Sequence, residues 1–186
     1  DTRNYAPGTF PRATQLKCRW IDLEDVKSPN DDLRAQGFAK GAAQFSRGEG
    51  IWATPDGIFF ACTEGGAEHG GQVFRYVPGA LEGGAGEDSV AGCGALELWI
   101  EANNSSVMQN ADNIMVRPSG EAILCEDGPG PNRLLGVTSA GEVFCFARNV
   151  FNNSEMAGLC QSPDGSTVFV NLYSPGLTFA ITGPWK

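Results

Sequence analysis

A chain of 186 residues, 41% hydrophobic, with 22 acidic against 13 basic side chains and a net charge of −9, suits one ordinary domain. It lacks the basic footprint that nucleic acid requires, and its surplus of carboxylates suits hard cations. The single histidine, His69, lies in the glycine-rich stretch 64–71, which nearly excludes histidine zinc sites and paired-histidine nucleases. No apolar run reaches membrane-spanning length. The six cysteines, at 18, 62, 93, 125, 145 and 160, include no C-x-x-C pair, ruling out zinc ribbons and thioredoxin-like redox motifs. Their even number permits disulfides without fixing the pairing. Asp1–Tyr5 is no signal peptide and reads as a mature or trimmed start. The runs Asn103-Asn104-Ser105 and Asn152-Asn153-Ser154 are glycosylation acceptors if the chain is secreted by a eukaryote.

In chain order, residues 1 to about 27 read as irregular, with one apolar patch at Cys18-Arg19-Trp20-Ile21. Pro29-Asn30-Asp31-Asp32 offers a helix start for Leu33–Lys40, which Gly41 ends and Gly37 weakens. These features make residues 1–44 an irregular and helical N-terminal segment. From Phe45 to residue 186 the texture changes to short apolar runs between turns. Three Pro-x-Gly turns recur, at Pro55-Asp56-Gly57, Pro118-Ser119-Gly120 and Pro163-Asp164-Gly165. A strand is expected before each turn, at 51–53, 114–116 and 158–160. Another is expected after each, at 58–63, 122–125 and 167–170. Further strands are expected at 72–76, 96–100 and 142–146. Turns 63 and 45 residues apart fit β-propeller blades of roughly 40–50 residues. The expected fold is therefore all-β, with about three blades of a partial propeller and a short N-terminal helix. A plain β-sandwich is the alternative.

Polar residues recur at fixed distances from these turns. Six before the proline stand Glu49, Asp112 and Ala157; eight before stand Arg47, Asn110 and Glu155. An offset of two puts each pair on one strand face, and the first strand of a blade lines the propeller channel. Six past the turn glycine stand Thr63, Glu126 and Asn171, with Glu64 and Asp127 one further in the first two units. Singly, each acid is a turn cap or a rim residue in a surface ion pair. Together, Glu49, Asp112, Glu126 and Glu155 are candidate metal ligands, because converging carboxylates need a cation or must take up protons. An oxygen donor set without histidine favours calcium over zinc. Arg47, Arg133 and Arg148 are candidates for a cationic clamp on an anion, though each alone reads as a surface arginine.

Several motifs in order resemble the PhoX-type alkaline phosphatases: Phe45-Ser46-Arg47-Gly48-Glu49-Gly50, Gly71-Gln72-Val73-Phe74-Arg75-Tyr76-Val77-Pro78 and Cys125-Glu126-Asp127-Gly128. So do Phe146-Ala147-Arg148-Asn149, Ser162-Pro163-Asp164-Gly165 and the closing Thr178–Trp185. The resemblance implies a six-bladed propeller whose channel mouth carries calcium and iron and hydrolyses phosphomonoesters, usually outside the cytoplasm (periplasm, secretory route or organelle lumen). It assigns Glu49 and Glu126 to metal ligation, with Glu155 a poorer match. Arg47 and Arg148, with Arg133, would steady the phosphate, and Glu49, Arg47 and Arg148 form the implied catalytic set.

The N-terminal half of such proteins, with its Cys-Gly-Gly-type and Thr-Pro-Trp-Gly-Thr-Trp runs, has no match in residues 1–45. The chain thus resembles the C-terminal half alone. Iron would need ligands from outside it, and a second chain or a missing N-terminal half would complete the ring. Two other functions stay open: a non-catalytic structural or interaction subunit of a larger assembly, and a calcium-dependent propeller lactonase or esterase.

Overall fold

The computed structural model describes residues 1–89 and 92–184. The first sheet has five antiparallel strands. It takes β1 (Gln15–Cys18) and, after helix α1 (Leu33–Ala39), the strands β2 (Gly48–Thr54), β3 (Gly57–Cys62), β4 (Gln72–Val77) and β5 (Gly94–Glu101), in the spatial order β1-β5-β4-β3-β2. The second is a four-stranded meander of β6 (Ala111–Val116), β7 (Ala122–Glu126), β8 (Arg133–Val137) and β9 (Val143–Arg148). The third holds β10 (Met156–Gln161), β11 (Thr167–Leu172) and β12 (Leu177–Thr182). The innermost strands, β2, β6 and β10, bring the sheets together: β2 and β3 contact β6, and β10 contacts β6 and β7. Three successive blades of a partial propeller result, with one short helix.

The apolar runs become strands because they bury both faces. In β3, Phe59 faces the second sheet while Phe60 packs on the outer face of the first. In β7, Leu124 joins the core between the first two sheets, and Ile123 and Cys125 join the core between the second and third. Successive side chains on a strand point to opposite faces, so a central blade needs apolar residues at nearly every position, as in buried parallel strands. The outer face of the first sheet is covered by the N-terminal segment. Phe10 stacks on Phe74 at 5.9 Å, and Phe45 meets Phe60 at 5.2 Å and Phe74 at 5.1 Å edge-to-face. The third sheet has no such cover: of the six β12 residues, all but Ile181 are exposed.

The N-terminal region is less irregular than its sequence suggests. β1 pairs with β5, Cys18 opposite Gly94, so residues before 45 contribute a strand to the first blade. Gln-Leu-Lys-Cys is exposed except at Cys18 and carries no two-sided apolar signal. β8 and β12 were likewise absent from the expected strands, and β8 takes the third place in its blade, leaving 143–148 as the fourth. The helix forms where expected. Trp185, which closes the last motif, lies outside the described residues.

Each innermost strand carries one extra residue near the same end. Register shifts fall between Gly48 and Ile51, between Ala111 and Ile114, and between Ala157 and Cys160. In each case three steps along the inner strand match two along its neighbour, which defines a β-bulge. The bulge corrects two expectations. Arg47 sits at φ 52 before its strand begins, so simple alternation does not relate it to Glu49. Counting from the turn proline also slips in the third blade, where the bulge stands one residue nearer the proline: Ala157 is six before Pro163, whereas Gly48 and Ala111 are seven before Pro55 and Pro118. Ala157 lies opposite Asn171, as Gly48 lies opposite Cys62 and Ala111 opposite Glu126. Gly158 therefore corresponds to Glu49 and Asp112, and Glu155 corresponds to Ser46 and Gln109.

Blade-to-blade packing at the bulge is close enough to demand glycine. A Cβ on Gly50 would come within 2.6 Å of the Asp112 carbonyl oxygen and 2.8 Å of Asn113 Cα and Ile114 N. Backbone cannot give way as a flexible side chain can. Gly50→Ala is expected to cost about 1–3 kcal/mol and lower the melting temperature by several degrees. Gly48→Ala, whose Cβ meets nothing within 4 Å, should leave melting nearly unchanged; equal melting of the two variants would contradict this packing.

Candidate functional site

The bulged ends of the inner strands gather carboxylates from three separate stretches of chain. Asp112 comes from the bulge of β6, Asp127 from the residue after β7, and Glu155 from the residue before β10. One carboxylate oxygen of each lies within 4.8 Å of the other two; Asp112 and Glu155 are half-buried, and Asp127 lies nearer the surface. Backbone pairing sets this up: the Asp127 N–H donates to the Asn110 carbonyl at 2.9 Å, and the Thr63 hydroxyl donates to Asp112 Oδ1 at 3.1 Å. Glu155 holds its proton more tightly than an ordinary glutamate. Burial is the main cause, followed by a hydrogen bond with Asp127 and repulsion from Asp127, Asp112 and Glu49. Glu49 thus adds its charge to the group from the first blade.

Arg47 borders this cluster. Its Nη1 lies 3.2 Å from Glu64 and its Nη2 lies 3.9 Å from Glu49, and its side chain is half exposed. The hydrogen bond to Glu64, then the charges of Glu64, Glu49 and Asp112, strengthen its hold on its proton. A partly exposed guanidinium beside a group of acids can grip an anionic oxygen that a cation brings there.

Glu126 and Arg133 stand apart from that arrangement. Glu126 is buried, and both its oxygens are taken. Oε1 accepts from the Gln109 N–H at 2.7 Å and Arg133 Nη2 at 2.6 Å, and Oε2 accepts from Arg133 Nε at 2.6 Å and the Arg133 N–H at 3.2 Å. The guanidinium also donates to the carbonyls of Ser106 at 2.7 Å and Ser105 at 3.0 Å. The pair clamps the 105–109 loop onto β7 and β8, and this geometry leaves Glu126 no oxygen turned to the cluster. Arg148 faces Arg133 across β8 and β9 and is exposed. It lines a cleft of about 300 Å³ with Gln109, Glu126 and Arg133, and none of Asp112, Asp127 and Glu155 lines that cleft. His69 packs on the Tyr5 ring, with centroids 4.6 Å apart.

Of the expected site residues, the structure therefore brings Asp112 and Glu155 together, sets Glu49 and Arg47 beside them, and holds Glu126, Arg133 and Arg148 elsewhere. Asp127 is the member that counting placed at the strand exit but that was not among the expected ligands. In the first blade the residue paired with Arg47 is Thr63, whose N–H donates to the Arg47 carbonyl at 2.9 Å; Asp127 makes the same bond with Asn110. Pairing with the positive-φ residues Arg47 and Asn110 is the signal that would have selected Asp127 over Glu126.

The two acid environments have opposite consequences for stability. Glu126→Gln would leave the partly buried Arg133 without its counter-charge, at a cost of about 1.5–3 kcal/mol. Glu155 has a raised pKa, so its contribution favours folding below the ordinary carboxylate range and is lost as pH rises through the folded-state value. Without added cations at neutral pH, Glu155→Gln should therefore raise the melting temperature by roughly 1–3 °C, and the gain should shrink as pH falls. Thermal melts of both variants between pH 4 and pH 8 read the two signs (a window of about four units spanning the carboxylate range); a Glu155→Gln variant less stable than wild type at neutral pH would contradict the repulsion.

Residues 8–176 match the family model described as alkaline phosphatase PhoX. No curated protein matches the chain. A solved structure of Pseudomonas fluorescens PhoX in complex with vanadate, a transition state analogue, superposes on the chain with a TM-score of 0.63 at 21% identity. The superposition covers 87% of this chain and 37% of that one, so the chain spans little more than a third of that protein's length. At this identity the likeness concerns the fold, and the family model covers most of the sequence. The chain belongs to the alkaline phosphatase PhoX family.

Proposed function

We propose that the chain is the cation-binding C-terminal portion of a phosphomonoester hydrolase. The supporting observation is the convergence of Asp112, Asp127 and Glu155 within 4.8 Å, with burial and the neighbouring acids raising the proton affinity of Glu155. Carboxylates that raise one another's proton affinity are relieved by a cation. Oxygen donors alone suit calcium, and they suit zinc or iron poorly; iron would require ligands from outside this chain.

In this reading Asp112, Asp127 and Glu155 hold the ion, and Glu49 adds negative charge or a further oxygen. A bound divalent ion supplies charge neutralisation for phosphate oxygens and lowers the pKa of water near it. Arg47 orients the ester by donating to a phosphoryl oxygen, with Glu64 and Glu49 keeping the guanidinium in place. Glu126 and Arg133 keep the 105–109 loop beside the site in register and stay off the substrate. Arg148, on the exposed edge of the second blade, is a candidate phosphate contact at the neighbouring cleft.

The open third sheet and the 37% coverage of the solved relative support completion of the propeller by further sequence or a second chain. No helix among the described residues is long and apolar enough to cross a membrane, and the family resemblance favours an extracytoplasmic setting. The same exposed sheet supports a second reading, a half-propeller retained as an interaction subunit without catalysis.

One set of measurements tests both readings. Added calcium should raise the melting temperature of the chain by several degrees once well above its dissociation constant, equivalent to about 2.7 kcal/mol at a hundredfold excess. The double variant Asp112→Asn, Asp127→Asn should lose that response. An aryl phosphate should then be hydrolysed at alkaline pH with calcium when the N-terminal half of a PhoX protein is supplied, and Arg47→Ala should slow it by about tenfold or more. Calcium binding without hydrolysis in the completed protein selects the interaction subunit; absence of any calcium response sinks the metal site.

A further inference from the structure

The edge of the first blade is sewn to the N-terminal segment along a short seam. The Arg19 guanidinium lies 2.8 Å from Asp88. The Trp20 N–H donates to Glu87 Oε1 at 3.0 Å. The Trp20 indole N–H donates to Glu82 at 2.7 Å and to the Tyr76 hydroxyl at 3.1 Å, and the Tyr76 hydroxyl in turn donates to Glu82. Arg19 and Trp20 are thus held against the 82–88 stretch by contacts from three of its acids.

A cysteine stands at each side of this seam. Cys18 ends β1 directly opposite Gly94, the first residue of β5, so Cys93 is one step along from its partner. Such diagonal neighbours lie about 6 Å apart between Cα atoms, inside the disulfide window of roughly 4.4–6.8 Å. Cys93 sits on a bend before the strand starts, so it is free of the alternation that would turn it to the opposite face. Both residues are half-buried. Burial first, then the neighbouring Cys93 thiol and Glu82, push the Cys18 thiol up, which places the two sulfurs in each other's field. Cys62 and Cys125 are buried in cores, with the Cys62 thiol pushed up to about 12 by burial, and Cys145 and Cys160 lie on other sheets.

We propose that Cys18 and Cys93 form a disulfide that fastens β1 and the segment after it to the rim of the first blade. The oxidant is a small-molecule disulfide such as oxidised glutathione. One cysteine thiolate attacks it and releases one reduced thiol; the second thiolate displaces the other, and the two leaving thiols carry away both electrons and both protons. The closed loop of roughly 75 residues is long enough for a sizeable effect on the unfolded chain. Residues 19–43 line one wall of an apolar cavity of about 650 Å³ against Ile58, Phe60 and Leu96. Oxidation would fix that wall, and reduction would leave it to the polar seam alone.

The test uses the full chain equilibrated in glutathione redox buffer, alkylated and digested without reductant. The expected result is a cross-linked peptide containing Cys18 and Cys93, with the other four thiols alkylated. A phosphine reductant should lower the melting temperature of the oxidised chain by several degrees, and C18S and C93S should each abolish that reductant-dependent shift. Full alkylation of both thiols, glutathione bound stably to either, pairing with another cysteine, or melting indifferent to reductant would each overturn the proposal.

Discussion

The arrangement of the site depends on one backbone device, the extra residue near the same end of each innermost strand. A bulge interrupts pairing locally and re-aims the side chains around it. In the second blade this displaces Asp112 from the alternation of β6 and lets Asp127, paired with Asn110, stand beside it. In the third, the hydrogen bond from the Leu159 N–H to Asn113 Oδ1 at 2.8 Å ties β10 to the second blade, near the point where Glu155 enters the cluster. Gly50 completes the device, because its missing side chain lets β2 settle on the backbone at the neighbouring bulge. Three blades packed this way can converge carboxylates that no single strand could bring together.

Electrostatics divides the acids into two kinds. Glu126 is satisfied by four donors, two of them on the Arg133 guanidinium, and its burial is bearable only with that partner. Asp112, Asp127 and Glu155 face each other with no arginine or lysine among their ion-pair partners in the described residues. Arg47 acts on them from the edge, at the range where its charge is felt without being consumed. Structure-bearing ion pairs are closed on themselves, whereas this cluster remains unbalanced, which is the condition for binding a positive ion.

Much of the fold was legible because blade strands buried on both faces write continuous apolar runs, as at Ile58–Cys62 and Ala122–Cys125. Strands without that signal were not: Gln15–Cys18 and Leu177–Thr182 are mostly exposed, and Arg133–Val137 contains Gly136, whose missing side chain makes room for the Phe144 ring. The site was legible in kind but not in membership. Counting from the turn prolines found Asp112 and Glu155, but the third blade has one residue fewer between its bulge and its proline, which shifts its count by one. Counting forward from the turn glycine likewise favoured Glu126, because Asp127, which pairs as Thr63 does, stands one residue further past its glycine. That Arg133 is consumed by Glu126 is a property of packing between β7, β8 and the 105–109 loop, and no spacing in the chain expresses it.

Burial, with the neighbouring acids, raises the proton affinity of Glu155, so a hard cation binding at this cluster competes with a proton. Calcium titration calorimetry in two buffers of different ionisation enthalpy, at mildly acidic pH, tests it directly. Saturable binding with net proton release is expected, and in Glu155→Gln the release is lost while weaker binding persists. Saturable binding whose heat does not depend on the buffer, or no binding at all, would contradict it.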